Sequence, residues 1–351
     1  MTRATIAILG ATSVSGQRLV HLLAGHPWFT VAAVTGPDHL VGKAYGDACR
    51  WALAEPMPAY ARTLRLREHL GGEDASIVFS ALSDSAAASL EPELAAAGHT
   101  VVSLSSAHRA EADVPLVLAD VNPDHLDLLG EQRKRRGWTG ALVTIPNCAV
   151  VGPTVVLKPL QDAFGLRRVF LATLQAVTGA GYPGVPALDL LDNVIPYIAG
   201  EEEKLESEPR KILGRLSGAR VEPAEVRITA HAARVAVTEG HVACLSIECE
   251  RAAEVGEASR FLASYRPPEE VRGLPSCPGV VLAVRPEADR PQPRRDRGAG
   301  SGMTTVVGRV RADPLLDIRC VVLAHNTIRG GAGSALLAAE LLWHRRSGES
   351  A

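Results

Sequence analysis

The stretch TIAILGATSVSG, residues 5–16, predicts the start of a dinucleotide-binding fold. Residues 5–9 are almost entirely apolar, as is typical of a strand buried on both faces of a parallel sheet. The turn Gly10–Gly16 leads into apolar residues at helical spacing up to Leu23, and such a turn brings backbone N–H groups to a helix N-terminus, where a pyrophosphate can bind. Because Thr12 replaces the middle glycine of the usual G-x-G-x-x-G pattern, an ordinary strand-to-helix turn is an equal alternative.

The next apolar run, residues 31–35, ends where a dinucleotide fold contacts the adenosine ribose. Asp38 stands about 20 residues after the glycine turn, the place of an acid that hydrogen-bonds a ribose 2′-hydroxyl. No arginine lies nearby to bind a 2′-phosphate, and Lys43 is the nearest cation. The segment Gly36–Asp38 is equally consistent with a simple turn.

Strand-like and helix-like segments continue to alternate. Runs at 76–80 and 100–104 flank an alanine-rich helix at 85–97 that a glycine ends. This alternation predicts an α/β fold with a doubly wound parallel sheet. The basic run Arg133–Arg136 follows acidic residues and precedes a glycine, so we expect a solvated loop there and not a nucleic-acid patch.

The second half of the chain has a different pattern. Its apolar runs alternate or contain β-branched residues, at 168–175, 225–230, 241–248 and 279–284. They predict an α+β unit with a largely antiparallel sheet. A helical pattern at 334–344 then returns the chain to the first unit. We expect a Rossmann-type dinucleotide-binding domain at 1–146, completed by 326–351, and a second domain at 147–325.

Composition limits the classes of function. The chain has 351 residues, 46% hydrophobic and 22% charged, with a formal net charge of −2, so two globular domains and no nucleic-acid partner are expected. No apolar run reaches about 18 residues and no signal-peptide pattern occurs, so we expect a cytoplasmic protein without a membrane partner. The six cysteines form no C-x-x-C pair, which predicts reduced thiols and no metal.

Cys148 is the first candidate nucleophile. It follows a strand-like run at 141–144 and precedes a helix-like run at 154–160. Bare N–H groups at a helix N-terminus favour the thiolate, the nucleophilic form. The alternative is a structural cysteine, because free cysteines are among the most buried residues.

Residues that could assist a thiol nucleophile follow Cys148. Gln175 ends a strand-like run before a glycine turn, where an amide could orient substrate or water. Arg234 suits carboxylate binding, and His241 suits proton transfer near neutral pH. The run Glu201–Lys204 is by itself more consistent with a solvated acidic turn.

Longer motifs are spread over most of the chain: PNC (146–148), QAVTGAGYPG (175–184), DNVIPYIAGEEEK (192–204), KILG (211–214), GH (240–241), RPQPR (290–294) and HNTIRG (325–330). In type and order they resemble the aspartate-β-semialdehyde dehydrogenase family, most of all its archaeal and fungal branch. The resemblance runs from about residue 5 to 342.

The resemblance implies an NADP-dependent enzyme that reduces L-4-aspartyl phosphate reversibly to L-aspartate-4-semialdehyde, in lysine, methionine and threonine biosynthesis. It implies that Cys148 forms a thioacyl intermediate, that His241 is the acid/base, and that Gln175 orients the reacting group. It also implies that the second domain is catalytic and forms a homodimer or homotetramer.

The binding residues that the resemblance implies fall into two groups. Substrate would be bound by Glu201 at its amino group, Arg234 at its carboxylate, Arg109 and Lys204 at phosphate, and Asn147 beside the nucleophile. The cofactor would be bound by Gly10, Thr12, Ser13, Val14, Ser15, Gly16, Thr35, Asp38, Ser80, Ala81, Gly179 and Asn326.

The sequence also departs from the family pattern. Ser13 stands where the family usually has a glycine of the cofactor loop. The family's Ser-Arg-Ser stretch, which grips the 2′-phosphate of NADP, is here Asp38-His39-Leu40, so Asp38 would repel that phosphate and NAD is a possible cofactor. The residues beside Arg234 are smaller than those in the family.

Two alternatives follow from these departures. One is a relative that reduces an acyl-CoA thioester such as malonyl-CoA with the same thiol chemistry, although Arg109 and Lys204 favour an acyl phosphate. The other is a non-catalytic paralogue that has lost cofactor affinity, against which the retained Cys148, Gln175 and His241 argue.

Overall fold

The computed structural model describes residues 3–70 and 75–348, which contain two six-stranded sheets and a small hairpin. The first sheet is entirely parallel, with strand order β3-β2-β1-β4-β5-β6. Its strands are β1 (Ala4–Leu9), β2 (Phe29–Thr35), β3 (Leu66–Arg67), β4 (Ile77–Ser80), β5 (Thr100–Ser103) and β6 (Ala141–Thr144). The predicted doubly wound α/β fold is confirmed.

Helices cover both faces of this sheet, because its central strands are apolar on both sides. Ile6 and Ile8 of β1 belong to one core cluster, while Ala7 and Leu9 belong to another on the opposite face. The helices of this half are α1 (Val14–Leu22), α2 (Tyr45–Ala48), α3 (Ala59–Arg62), α4 (Asp84–Ala96) and α5 (Leu128–Arg136).

The second sheet is mixed, with strand order β10-β7-β11-β14-β13-β12. Its strands are β7 (Arg168–Gln175), β10 (Arg227–Arg234), β11 (His241–Glu248), β12 (Leu282–Arg285), β13 (Thr305–Ala312) and β14 (Ile318–Ala324), and β8 (Arg215–Ser217) and β9 (Arg220–Glu222) form the hairpin. The inner pairs are antiparallel, as predicted, but both edge strands pair in parallel. A parallel pair needs a crossover connection, and periodicity within single strands does not reveal one.

Four of the remaining helices carry or surround the second sheet: α6 (Cys148–Phe164), α7 (Ala187–Leu190), α8 (Glu201–Ile212) and α9 (Val255–Ser264). Helix α6 is the central one, and most of its residues from Ala149 to Leu160 are buried. Each fully buried large apolar side chain contributes roughly 1.5–3 kcal/mol. Burial on nearly all sides therefore fixes α6 firmly in place.

The chain ends against the first sheet. The short helix α10 (Pro293–Asp296) precedes β13, and the last helix is α11 (Gly333–Gly348). Buried leucines of α11, including Leu336 and Leu341, join the core cluster of β1 and α1. The last helix therefore packs against the first sheet, and residues 349–351 lie outside the described residues.

One local prediction is wrong. The basic run Arg133–Arg136 forms the last turn of α5, which ends at Gly137 with a left-handed φ of 67°. Arg136 pairs with Asp113 and Glu111, and Arg133 donates to the carbonyl of Gly140. Cations at a helix C-terminus are favourable because they oppose the negative end of the helix dipole, which the charge pattern alone did not reveal.

A buried ion network joins α1 to the loop before β11. The guanidinium of Arg18, whose side chain is 1% exposed, lies 2.9 Å from both Glu55 and Glu239. Glu239 also contacts His325 at 3.5 Å. A hydrogen bond from His325, together with the nearby charge of Arg18, lowers the pKa of Glu239 to about 2, although partial burial acts in the opposite direction.

Glu239→Gln is expected to reduce the free energy of unfolding by about 3 kcal/mol, because it leaves the buried Arg18 partly unpaired. A carboxylate with a lowered pKa stabilises the fold above the pKa of the unfolded chain, near 4.5, and this contribution disappears as the pH falls toward about 2. Urea unfolding at pH 7 and pH 3.5 measures both effects. The exposed Glu254→Gln is the control, and equal stabilities of all three proteins at pH 7 would refute the prediction.

Candidate active site

Cys148 is the first residue of α6, directly after the turn that leaves β6. The side-chain oxygen of Asn147 accepts the N–H of Ala149 at 2.8 Å and caps the helix. The helix therefore begins six residues earlier than the apolar run at 154 suggested. Gly330 packs on the cysteine so tightly that a Cβ at this position would lie 2.8 Å from the Cβ of Cys148.

Cys148 and His241 form a close pair, with Sγ 3.2 Å from Nε2. The other ring nitrogen, Nδ1, accepts the backbone N–H of Ala176 at 2.9 Å. Because a backbone N–H can only donate, the neutral ring carries its proton on Nε2 and directs it at the sulfur. Burial, together with the positive charges of Arg234 and His325, lowers the pKa of His241 to about 3, so the ring is neutral near pH 7.

The thiol of Cys148 is protonated in the protein alone, contrary to the expectation from its helix position. Burial and the nearby carboxylate of Glu201 raise the pKa of Cys148 to about 12. Arg109, Arg234 and a backbone N–H act in the opposite direction and are outweighed. The sequence showed the helix N-terminus but not the burial of the sulfur.

Glu201 is the hub of the polar groups around the cysteine. Its carboxylate accepts the side-chain amides of Asn147 at 2.8 Å and Gln175 at 3.1 Å, and lies 3.5 Å from the ammonium of Lys204. The interpretation of Glu201–Lys204 as a solvated turn is wrong, because Gly200 reverses the chain with a φ of 69° and Glu201 starts α8 pointing inward.

Arg234 ends β10 on the other side of His241. Its guanidinium is buried and donates to the carbonyl of Ala176 at 2.8 Å. Gly179 lies against both side chains, because a Cβ there would be 2.7 Å from the Arg234 guanidinium and 3.0 Å from the His241 ring. A side chain at this position would block the approach to His241.

Asn326 holds two turns of the site together. Its side-chain oxygen accepts the N–H of Gly240 at 2.8 Å, and its amide donates to the hydroxyl of Thr178 at 2.9 Å. One turn leads into His241, and the other carries Gly179. Asn326 thus links the end of β14 to both.

Arg109 reaches this cluster through a residue that the sequence did not indicate. Its guanidinium pairs with Glu208 at 2.9 Å and donates to the carbonyl of Leu104 at 2.8 Å. The other oxygen of Glu208 accepts the backbone N–H of Asn147 at 2.7 Å. Glu208 therefore joins Arg109 to the residue before the cysteine.

The glycine turn lies at the carboxyl end of the first sheet, away from α8. A Cβ at Gly16 would lie 2.3 Å from the carbonyl oxygen of Gly10, and a Cβ at Gly10 would lie 2.6 Å from that of Ala81. Ser13 caps α1 by accepting the N–H of Gly16 at 3.1 Å. This tight turn, with Val14 and Ser15 starting α1, fits a dinucleotide pyrophosphate at the helix N-terminus.

The other predicted cofactor residues end neighbouring strands. Thr35 ends β2 and its hydroxyl accepts the N–H of Gly10 at 3.2 Å. Ser80 ends β4 beside Ala81, and exposed Asp38 follows β2 in a short 3₁₀ turn. Thr12 lies beside the first of these strands and contributes its carbonyl to Gln17. These residues and the glycine turn share one edge of the sheet, where such folds bind dinucleotides.

Other predictions concern ions and membranes. Among the described residues, no group of His, Cys, Asp and Glu side chains is arranged to hold a metal ion. In the same part of the chain no helix is long and apolar enough to cross a membrane.

Comparison with known proteins decides the family. Residues 5–129 match the semialdehyde dehydrogenase NAD-binding domain, and residues 157–329 match the semialdehyde dehydrogenase dimerisation domain. The aspartate-semialdehyde dehydrogenase of Archaeoglobus fulgidus is 44% identical over 344 residues, which cover 97% of this chain and 98% of that protein. The chain belongs to the aspartate-semialdehyde dehydrogenase family.

Fungal members of this family are similar over the same length. The Saccharomyces cerevisiae aspartate-semialdehyde dehydrogenase is 40% identical, covering 96% of this chain and 97% of that protein. The crystal structure of the Candida albicans enzyme with NADP superimposes with a TM-score of 0.90 at 37% identity, over 98% of this chain and 99% of that one. The predicted resemblance to the archaeal and fungal members of the aspartate-semialdehyde dehydrogenase family is confirmed.

Sequence reasoning missed parts of the site in this family member. Three such residues contact the main chain or side chain beside Cys148 or Arg109. Glu208 binds the N–H of Asn147, Lys211 binds the carbonyl of Arg109, and Gly330 packs on Cys148. The spacing of Glu201, Lys204, Glu208 and Lys211 was the available signal, because it places all of them on one face of a helix. The prediction of a turn at 201–204 concealed that face.

Glu201→Gln is expected to make Cys148 react severalfold faster with iodoacetamide at pH 8. Removing the carboxylate charge that raises the thiol pKa increases the thiolate fraction at any pH below that pKa. Alkylation is followed by peptide mass spectrometry on the peptide that contains Cys148. Glu203→Gln, an exposed position in the same helix, is the control. An unchanged or slower rate in Glu201→Gln alone would contradict this electrostatic assignment.

Proposed function

We propose that this protein catalyses the reversible reductive dephosphorylation of L-4-aspartyl phosphate to L-aspartate-4-semialdehyde, with NADP as the redox partner. The observation that carries the proposal is the 3.2 Å contact between Cys148 Sγ and His241 Nε2 at the start of α6. Buried acidic and basic side chains surround this cysteine–histidine pair. The glycine turn that would bind the dinucleotide lies at the carboxyl end of the first sheet. Near full-length similarity to named aspartate-semialdehyde dehydrogenases supports the same reaction.

In this proposal Cys148 is the nucleophile. The S–H bond breaks as the sulfur attacks the acyl phosphate carbon and a sulfur–carbon bond forms, and phosphate leaves with the electrons of the broken carbon–oxygen bond and takes up the thiol proton. The nicotinamide, when bound, supplies the hydride that reduces the resulting thioester. The oxygen of the tetrahedral adduct then re-forms a carbonyl, the sulfur–carbon bond breaks and the semialdehyde leaves. The sulfur takes a proton from Nε2 of His241, which a proton from solvent replaces.

The remaining side chains bind and orient. His241 Nε2 donates a hydrogen bond toward the sulfur and toward the oxygen that gains charge during the reaction, and serves as the acid/base. Gln175 orients the reacting group. Arg234 binds the substrate carboxylate, and Glu201 binds its ammonium, because both groups lie close enough to Cys148 to shift its pKa and have the matching charges.

Phosphate is bound by the remaining cations. Arg109 is held close to Asn147 through Glu208, and Lys204 lies one helical turn from Glu201 with about a third of its side chain exposed. A cation pair beside the nucleophile suits an acyl phosphate better than a bulky thioester. This favours aspartyl phosphate over an acyl-CoA donor.

We also propose the domain division 1–146 with 326–351 as the dinucleotide-binding domain, and 147–325 as the catalytic and dimerisation domain. Most residues of the two core clusters follow this division, with Leu116, Leu118 and Val121 packing in the second cluster and Val271, Leu274 and Met303 in the first. The matched dimerisation domain supports an oligomer, and we propose a homodimer or homotetramer. Exposed apolar side chains on β7 and in the loop between α7 and α8 suit such an interface: Phe170, Leu174 and Tyr197. Six free cysteines suit a cytoplasmic location.

Cys148→Ala is expected to abolish phosphate-dependent reduction of NADP by L-aspartate-4-semialdehyde, because no other sulfur can form the thioester. Dinucleotide binding, measured by fluorescence titration, should stay within about twofold of the wild-type value. Cys244→Ala, at an exposed position, is the control and should keep full activity. Substantial turnover by Cys148→Ala would disprove the mechanism, and a wild-type protein that reduces neither NADP nor NAD would disprove the function.

Asp38→Ser is expected to lower the KM for NADP roughly fivefold and to raise the KM for NAD, because it removes a carboxylate that repels the 2′-phosphate and hydrogen-bonds the 2′-hydroxyl. Steady-state rates at varied NADP or NAD give the two KM values and their ratio. Asp47→Ser makes the same change in charge at another exposed position and should leave the ratio unaltered. A ratio unchanged in Asp38→Ser would show that Asp38 does not contact the ribose.

A further inference from the structure

Helix α8 presents Glu201, Lys204, Glu208 and Lys211 along a single face. This face covers the turn that carries Cys148 and the loop that carries Arg109. Lys211 donates from Nζ to the backbone carbonyls of Arg109, Glu111 and Val114 at 2.7–2.8 Å. The loop around Arg109 is therefore fixed to α8 through its main chain, independently of any side-chain contact of the arginine.

Glu208 uses both carboxylate oxygens on functional elements. Oε1 accepts NH1 of Arg109 at 2.9 Å, and Oε2 accepts the backbone N–H of Asn147 at 2.7 Å. The Glu208 side chain is 7% exposed, and that of Arg109 is 9% exposed. Hydrogen bonds to charged groups in such surroundings are strong, so both partners have defined positions.

The guanidinium of Arg109 keeps donor capacity beyond these contacts. NH2 is bound to the carbonyl of Leu104, and Nε is buried without a hydrogen-bond partner. Arg329 also has buried nitrogens without a partner, so this feature alone does not indicate a ligand, but it leaves Arg109 a donor that Glu208 and Leu104 do not use. Glu208 therefore orients Arg109 without using up all of its donors.

The same carboxylate affects the nucleophile. Asn147 is bound at its backbone by Glu208, while its amide nitrogen is bound by Glu201 at 2.8 Å. The residue before Cys148 is thus held at two points by one helix. A shift of Glu208 would move the turn and, with it, the sulfur at the start of α6.

We propose that Glu208 is a positioning residue that sets the distance between the cysteine sulfur and the phosphate-binding guanidinium of Arg109. This inference rests on the proposed function, in which Arg109 meets the phosphate of the acyl phosphate. One rigid carboxylate between the two groups makes the phosphate site and the attacking atom a single unit. Substrate then binds with its acyl carbon already at the sulfur.

The test compares Glu208→Gln with Glu203→Gln, which makes the same change at an exposed position of α8. The glutamine keeps one acceptor but turns an N–H donor toward Arg109 or Asn147, so one of the two contacts is lost. Steady-state kinetics in the oxidative direction give the KM for inorganic phosphate, the KM for semialdehyde and kcat. Iodoacetamide alkylation of Cys148 reports on the turn without requiring any turnover.

We expect Glu208→Gln to raise the KM for phosphate at least about tenfold, to leave the KM for NADP within about twofold, and to change the alkylation rate at least about threefold. Glu203→Gln should match the wild type in all of these. In an Arg109→Gln background, Glu208→Gln should have less than about threefold further effect on the KM for phosphate, because the shared contact is already absent.

An unchanged or lowered KM for phosphate in Glu208→Gln would overturn the proposal, since Glu208 would then only neutralise charge. If Glu208→Gln does not fold, Glu208→Asp keeps the charge but is too short to reach both partners, and the same criteria apply to it. A wild-type protein without phosphate-dependent reduction would instead contradict the proposed function. In that case equal alkylation rates in Glu208→Gln and Glu203→Gln would still refute the effect on Cys148.

Discussion

The hydrogen bond from the N–H of Ala149 to the side chain of Asn147 marks the point on which the rest of the site depends. It begins α6 directly after β6, at the passage of the chain from the first sheet to the second. Cys148 is therefore the first residue of a helix whose residues 149–157 are all buried, so the turn at Asn147 decides where the sulfur lies. His241, Glu201 and Gly330 then act on that sulfur through a hydrogen bond, a nearby charge and close packing, respectively.

The polar groups around the sulfur form an arrangement of alternating charge. Carboxylates of Glu201 and Glu208 lie on the α8 side, and the guanidiniums of Arg109 and Arg234 balance them. Buried charges are tolerated only when they are paired and hydrogen-bonded. The pairing also sets reactivity, because Glu201 raises the pKa of the thiol while both arginines lower it. A substrate that brings its own ammonium to Glu201 would remove part of the charge that keeps the thiol protonated.

Local sequence pattern predicted much of this molecule. The apolar runs around Ile6 and Val143 identified buried parallel strands, because strands covered on both faces have no polar alternation. Motifs around Cys148 and His241 predicted two cooperating residues, and the structure places Sγ and Nε2 3.2 Å apart. What local pattern could not predict depends on tertiary contacts. Glu208 is an ordinary glutamate in a charged helix until the fold brings Arg109 and Asn147 to its two oxygens.

The errors have the same origin. The charge runs at 133–136 and 201–204 predict solvent-exposed segments, but in the structure Arg136 pairs with Asp113 and Glu201 binds Asn147, partners distant in sequence. The pKa direction expected for Cys148 was also wrong, since a helix N-terminus is visible in a sequence whereas the desolvation of one sulfur atom by the fold is not. The helical spacing of Glu201, Lys204, Glu208 and Lys211 was a usable signal for α8. The high charge of the segment favoured a solvated turn instead.

Trapping the covalent intermediate shows directly whether Cys148 is the nucleophile. Enzyme, L-aspartate-4-semialdehyde and NADP are mixed without phosphate, quenched in acid and digested, and the cysteine peptides are analysed by mass spectrometry. An aspartyl thioester is expected on the peptide that contains Cys148, and it should disappear when phosphate is added before the quench. An adduct on another cysteine, or phosphate-dependent turnover with no adduct on Cys148, would contradict it.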